Sequence, residues 1–205
     1  MSVLGLGGAA LLAATNAPHH GAHMAPRAVG VVAPPVLADV LPAFDNHPDT
    51  DTVRVEDGGQ SWLFHIARKA GRYVGAAVEA EAPGGYGGPI RVLVGVTAGE
   101  AVQQVRIVDQ HETPSIGGKV MDPPFRSQFA GRLLQTTKWS LRKDGGDIDA
   151  ITGATISSRA ATEAVAKAVA VYQRHAAEIR GAPARPGAAE PAASNAPVHR
   201  AAPER

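Results

Sequence analysis

Asp149-Ala150-Ile151-Thr152-Gly153-Ala154-Thr155-Ile156-Ser157-Ser158 is a run of small and hydroxylated residues leading into an alanine-rich segment. Gly153 and Ala154 leave little bulk beside Thr155, so another protein can approach the segment closely. Ser157 or Ser158 can cap a helix running through Ala160 to about Ala177, and the first amides of such a helix favour a phosphate. On the physics of turns and caps alone, the readier reading is a tight turn and a helix start. The run also contains no base beside Thr155, since Asp149 lies six residues away along a segment that reads as extended. Chemistry at the Thr155 hydroxyl therefore calls for a separate transferase, with this chain as its substrate.

Upstream, the pattern is that of strands. Trp62, Phe64 and Ile66 alternate with Leu63 and His65, which predicts a strand with one face more deeply buried. Lys69 to Arg72 reads as a turn and Tyr73 to Glu81 as the returning strand. The run Pro83 to Pro89 breaks the ladder. Ile90 to Thr97 and Ala101 to Val108 then form a second hairpin across Ala98-Gly99-Glu100. Val36 to Leu41 reads as a short helix ending near Pro42, Pro124 to Leu134 as helical, and Trp139 to Arg142 as extended. Consecutive hairpins followed by helices predict an α+β fold, a mainly antiparallel sheet with packed helices.

Length and composition bound what the chain does. At 205 residues and 44% hydrophobic content it can build one cored domain with appendages. We place that domain at residues 35–180, after an N-terminal apolar segment and linker at 1–34 and before a tail at 181–205 too poor in apolar residues to pack. A net charge of +1 and 4% aromatic residues give neither a basic field nor a base-stacking surface, so no nucleic-acid partner is expected. The absence of cysteine removes thiolate metal sites. His19, His20 and His23 stand in a Pro/Gly/Ala-rich stretch that reads as a solvated linker, so no metal site is expected. Val3 to Ala14 is apolar over about 12 residues, short of the ~20 needed to span a bilayer, and no Lys or Arg precedes Arg27. We read it as the remnant or truncated form of a membrane anchor, with a poor signal-peptide core as the alternative.

After the second hairpin comes Asp109-Gln110-His111-Glu112-Thr113-Pro114-Ser115-Ile116-Gly117-Gly118-Lys119. Most such Pro/Gly loops are solvated connections. This one also suits a flat ring: Pro114 stiffens it, Gly117 and Gly118 admit backbone, Glu112 and Thr113 offer polar groups, and Ile116 offers an apolar cover.

Four separated segments then stand in register. They are Gly85-Tyr86-Gly87-Gly88-Pro89-Ile90, His111 to Gly117, Trp139 with Lys143 to Asp149, and Thr152-Gly153-Ala154-Thr155. Together, over roughly residues 36 to 178, they resemble the G subunit of Rnf-type ion-translocating electron transport complexes. The related C subunit of the sodium-translocating NADH:quinone oxidoreductase shows a similar set. Ser115 and Gly118 stand where that family has a glycine and a polar residue.

The resemblance implies an FMN-binding domain holding its flavin covalently, as a phosphoester on Thr155. Thr152, Gly153 and Ala154 would complete the attachment segment, and Asp149, Gly153 and Ala154 would be recognised by the flavin transferase. Glu112, Thr113, Ile116 and Gly117 would contact the ring. The implied role is electron relay, without catalytic residues of its own, alongside the other subunits of a complex in the bacterial inner membrane, with the domain on the periplasmic side. No nucleotide-binding glycine fingerprint is present, so NAD is not an expected ligand. A stand-alone exported flavodomain serving another reductase and a non-redox binding module are the competing readings.

Overall fold

In the computed structural model, which describes residues 34–184, five strands pair in the order of the chain. They are β1 (Thr52–Asp57), β2 (Gln60–Lys69), β3 (Arg72–Ala82), β4 (Ile90–Thr97) and β5 (Val102–Asp109). Every neighbouring pair is antiparallel. The sheet and the long C-terminal helix against it give the α+β architecture expected, with the two hairpins within a residue of their anticipated bounds. Gly58 and Gly59 make the whole β1–β2 connection at φ 60° and 75°, the left-handed pair that a two-residue hairpin of this hand requires.

β2 departs from the expectation of one favoured face. Trp62, Phe64 and Ile66 belong to the main core, yet His65 and Ala67 on the other face are also buried. The cover is α1 (Pro34–Ala38) and the turn after it, which pack Leu37, Val40 and Leu41 against Ala67, Ala77 and Leu93. Backbone approaches the sheet closely there. A Cβ on Gly75 would lie 2.8 Å from the Pro42 ring, and one on Gly95 2.6 Å from the Val40 carbonyl carbon. The helix starts at Pro34, two residues earlier than the sequence suggests, because proline costs no hydrogen bond in a first turn. Its bonding runs on to Leu41, whose N–H donates to the Leu37 carbonyl at 3.0 Å.

The final helix, α3 (Thr155–Gly181), is 27 residues long and begins ahead of both Ser157 and Ser158, the residues expected to offer its cap. Ala161, Val165, Ala168, Val169, Tyr172 and Ile179 recur on one face and close the core over Phe64, Ile66, Val78 and Val94. Each buried valine or isoleucine there contributes about 1.5–3 kcal/mol.

Two connecting segments are less regular than expected. The helix anticipated over Pro124 to Leu134 is reduced to α2 (Pro123–Arg126) and a 3-10 turn at Ser127–Phe129. Gly131, at φ 75°, reverses the chain so that its N–H meets the Val102 carbonyl and Val102 N–H meets the Arg132 carbonyl. The sheet edge takes the residues that a helix would have used. Trp139 to Arg142 contributes only a bridge between Leu141 and Ile148 before a 3-10 turn at Arg142–Asp144.

At the C-terminal end of α3, Arg68 donates from Nε to Asp51 Oδ2 (2.8 Å) and from Nη2 to the Ala182 carbonyl (2.7 Å). Asn46 donates to the same Asp51 oxygen at 3.0 Å. In the same corner His65 Nδ1–H donates to the Pro48 carbonyl at 2.9 Å, while its Nε2 has no partner among the described residues. Burial pushes the imidazole below its ordinary value, and the Pro48 bond and Asp49 oppose that only in part.

The apolar stretch Val3 to Ala14, the three linker histidines and the tail beyond residue 184 lie outside the described residues. Gly181, expected to open the tail, instead closes α3. Among the described residues no helix is long and apolar enough to cross a membrane, and no group of three or more acidic or histidine side chains is placed to hold a metal.

Candidate functional site

At the N-terminal end of α3 a cleft of about 480 Å³ opens between three segments. The β3–β4 loop contributes Tyr86; the loop after β5 contributes Glu112, Thr113, Ile116 and Gly117; and the start of α3 contributes Gly153 to Ser157. Three of the four registered segments thus meet at one cleft, while Trp139 and Lys143 to Asp149 do not line it. The cleft holds Glu112, Thr113, Ile116, Gly117, Gly153, Ala154 and Thr155 of the expected residues. It leaves out Thr152, exposed on the preceding turn, and Asp149. Asp149 instead pairs with Arg142 at 2.7 Å, and its N–H donates to Gln128 Oε1 at 2.8 Å.

Thr155 is the first residue of α3, half-buried at the cleft, and not part of a turn ahead of the helix. The helix is uncapped: Ala154 precedes it at φ −127° and ψ 42° with no side-chain cap bond. The two serines expected to cap it lie inside its first turn. Ser158 Oγ donates to the Ala154 carbonyl (2.8 Å) and accepts from Ile151 N–H (3.0 Å). The amides of Thr155, Ile156 and Ser157 are therefore the first of the helix, without carbonyls one turn back, and they add to the positive end of the helix dipole.

Glu112 is buried, and its carboxylate ties all three segments together. Oε1 accepts from Gly87 N–H at 2.9 Å, and Oε2 accepts from the Ser157 hydroxyl at 2.6 Å. Glycines surround it because nothing larger fits. A Cβ on Gly85 would come within 2.6 Å of Glu112 Oε1, and one on Gly117 would collide with both Glu112 Oε2 and Ser157 Oγ. Gly117 thus serves the protein's own carboxylate, where the sequence suggested room for a ligand.

Gly153 has a different reason. A Cβ there would meet nothing within 4 Å, but φ is +81°, a left-handed turn that delivers the chain to the helix start. Ala154 is small because its side chain is buried. Conformation and packing thus favour small residues at both positions, and the space beside Gly153 stays open.

Sequence reasoning gave no site role to Tyr86 or Ile156, and none but capping to Ser157. All three line the cleft, Tyr86 at 77% exposure and Ile156 at 47%. The signal for Tyr86 was its place between glycines. Ser157 had none, because its partner Glu112 is 45 residues away.

The profile of a family described as FMN-binding domain matches residues 85–170, which include every cleft-lining residue. The G subunit of the ion-translocating oxidoreductase complex from Aliivibrio fischeri (strain MJ11) is 38% identical over 125 residues, 58% of this chain and 60% of that protein. The corresponding G subunit from Yersinia pestis is 34% identical over 149 residues, 67% of this chain and 71% of its own length. The chain spans about 60% of the length of the first relatives it matches. Among solved structures, Shewanella oneidensis NqrC superposes with a TM-score of 0.50 at 20% identity, covering 64% of this chain and 70% of that one, a likeness of fold.

Proposed function

Because the chain belongs to the G-subunit family of ion-translocating oxidoreductase complexes, we propose that it is an electron-relay subunit whose FMN is held as a phosphoester on Thr155. The observation that carries this reading is the position of Thr155 as first residue of α3 on the wall of the cleft. The cleft fits such a group. Its volume of about 480 Å³ is within the roughly 300–1,000 Å³ of small-ligand sites. Ile116, Ile156 and Tyr86 supply apolar surface, and the uncapped helix start suits a phosphate. FMN, when bound, accepts and passes on electrons; the protein places it and tunes its surroundings. Thr155 would tether the phosphate, the amides of Ile156 and Ser157 would meet its charge, and Thr113, which lines the cleft, would offer the ring edge a hydrogen bond.

In this reading residues 35–180 form one FMN-binding domain on the periplasmic side of the bacterial inner membrane, flanked by the linker and tail segments. Its partners are the other subunits of the complex, and a flavin transferase loads it. Asp149, Gly153 and Ala154 form the segment that the transferase recognises, with Asp149 and Gly153 exposed beside the attachment point. No catalytic residue is assigned, since the redox chemistry is the cofactor's.

Thr155→Val, made with the transferase present, should fold as the parent does. Denatured, it should lack the mass and visible absorbance of FMN that the denatured parent retains. A denatured Thr155→Val chain that still carries the FMN mass would overturn the assignment.

A further inference from the structure

The reading of the cleft as a flavin site leaves open what meets the face of the ring. We propose that Tyr86 lies against the isoalloxazine, and that Glu112 is the strut holding the Tyr86 loop over the cleft. The inference rests on the proposed function and adds two residue roles to it.

Tyr86 is 77% exposed, more than any other large apolar side chain among the described residues. Of the five such exposed side chains, three (Tyr86, Ile116 and Ile156) line this one cleft. Apolar surface gathered in one concavity marks a place that a ligand covers. An aromatic among two aliphatic neighbours suits a flat conjugated ring, since such rings pack offset with centroids about 4.5–7 Å apart.

The loop geometry gives Glu112 its part. Gly85 and Gly87 flank Tyr86, and the loop rests its bare backbone on the segment below. A Cβ on Gly87 would lie 2.6 Å from the His111 carbonyl carbon. Gly87 N–H is fastened to Glu112 Oε1, and the other carboxylate oxygen is taken by Ser157. With both oxygens engaged by protein donors, Glu112 acts on the ring through the loop it holds. It is a positioning residue.

The test uses the FMN-loaded protein and reads flavin fluorescence, which a phenol in contact with the ring quenches by donating an electron. Loading of the parent is first checked by mass after denaturation. An unloaded parent would sink the proposed function itself, and this inference with it. In a loaded parent, native fluorescence should be low and should rise several-fold on denaturation. Tyr86→Leu should carry the same flavin mass and show the raised fluorescence while native, and Tyr86→Trp should restore the quenching. Glu112→Ala should raise the fluorescence with Tyr86 still present. Glu112→Gln, which keeps an acceptor for Gly87 N–H, should stay near the parent. Fluorescence of loaded Tyr86→Leu equal to the parent's would overturn the stacking. Equal changes in Glu112→Gln and Glu112→Ala would overturn the strut, since loss of charge alone would then account for both.

Discussion

Glu112 and Asp51 are two carboxylates buried at opposite ends of α3, 5% and 2% exposed, and they are held differently. Asp51 faces a guanidinium and an amide, and its partner Arg68 also grips the carbonyl that follows the helix. Glu112 has two uncharged donors, a backbone N–H and a serine hydroxyl, and lies on the wall of an open cleft. The Asp51 end is closed, with charge matched by charge. At the Glu112 end, a carboxylate without a cation among its bonded partners aligns three segments around a space. The same side-chain chemistry locks one end of the helix and shapes a site at the other.

The contrast breaks most readily at Arg68. Arg68→Ala leaves Asp51 buried without its cation and the Ala182 carbonyl unmet. A loss of about 3–5 kcal/mol is expected, read as a lower midpoint in urea. Flavin loading of the remaining folded protein should be normal. Glu112→Ala should cost less, about 1–3 kcal/mol, because the groups it strands are neutral. If both substitutions cost the same, the distinction between lock and strut fails.

The smallest effect concerns His65, which shares the Asp51 corner. Its folded value lies below its unfolded value of 6.5 because burial disfavours the imidazolium. Below pH 6.5 the unfolded chain binds the proton more readily, so stability should fall with pH until the folded imidazole also titrates. One group gives a slope of at most about 1.4 kcal/mol per pH unit. His65→Gln, which keeps a donor for the Pro48 carbonyl, should flatten that part of the pH profile. An unchanged slope would place the titrating group elsewhere.

What was legible in the chain follows the range of the interactions. The hairpins could be read because alternation and turn glycines are local, and Lys69 to Arg72 or Ala98 to Glu100 declare themselves within a few residues. The second buried face of β2 could not, because its cover comes from Leu37 and Val40, well upstream. The segment that opens α3 was singled out, but its boundary with the helix was misjudged. Ser157 and Ser158 look like caps, yet one hydroxyl is taken by Glu112 and the other by the backbone around Ala154. Gly153 was read for its lack of bulk, and its positive φ, a second reason for glycine, shows only in the fold. Contacts spanning 25 and 45 residues, such as Glu112 with Gly87 and with Ser157, leave no mark on a local pattern.

The order in which the strands pair has a consequence for synthesis. Each strand meets the one made just before it, so β1 to β5 can assemble once residue 109 has emerged. The helix that covers Phe64, Ile66 and Val78 ends only at Gly181. At about 5–20 residues per second, that apolar face waits several seconds for its cover. A nascent chain is then at its most adhesive, and a chaperone has most to hold. The cleft waits for the same helix, because one of its walls is that helix's opening turn.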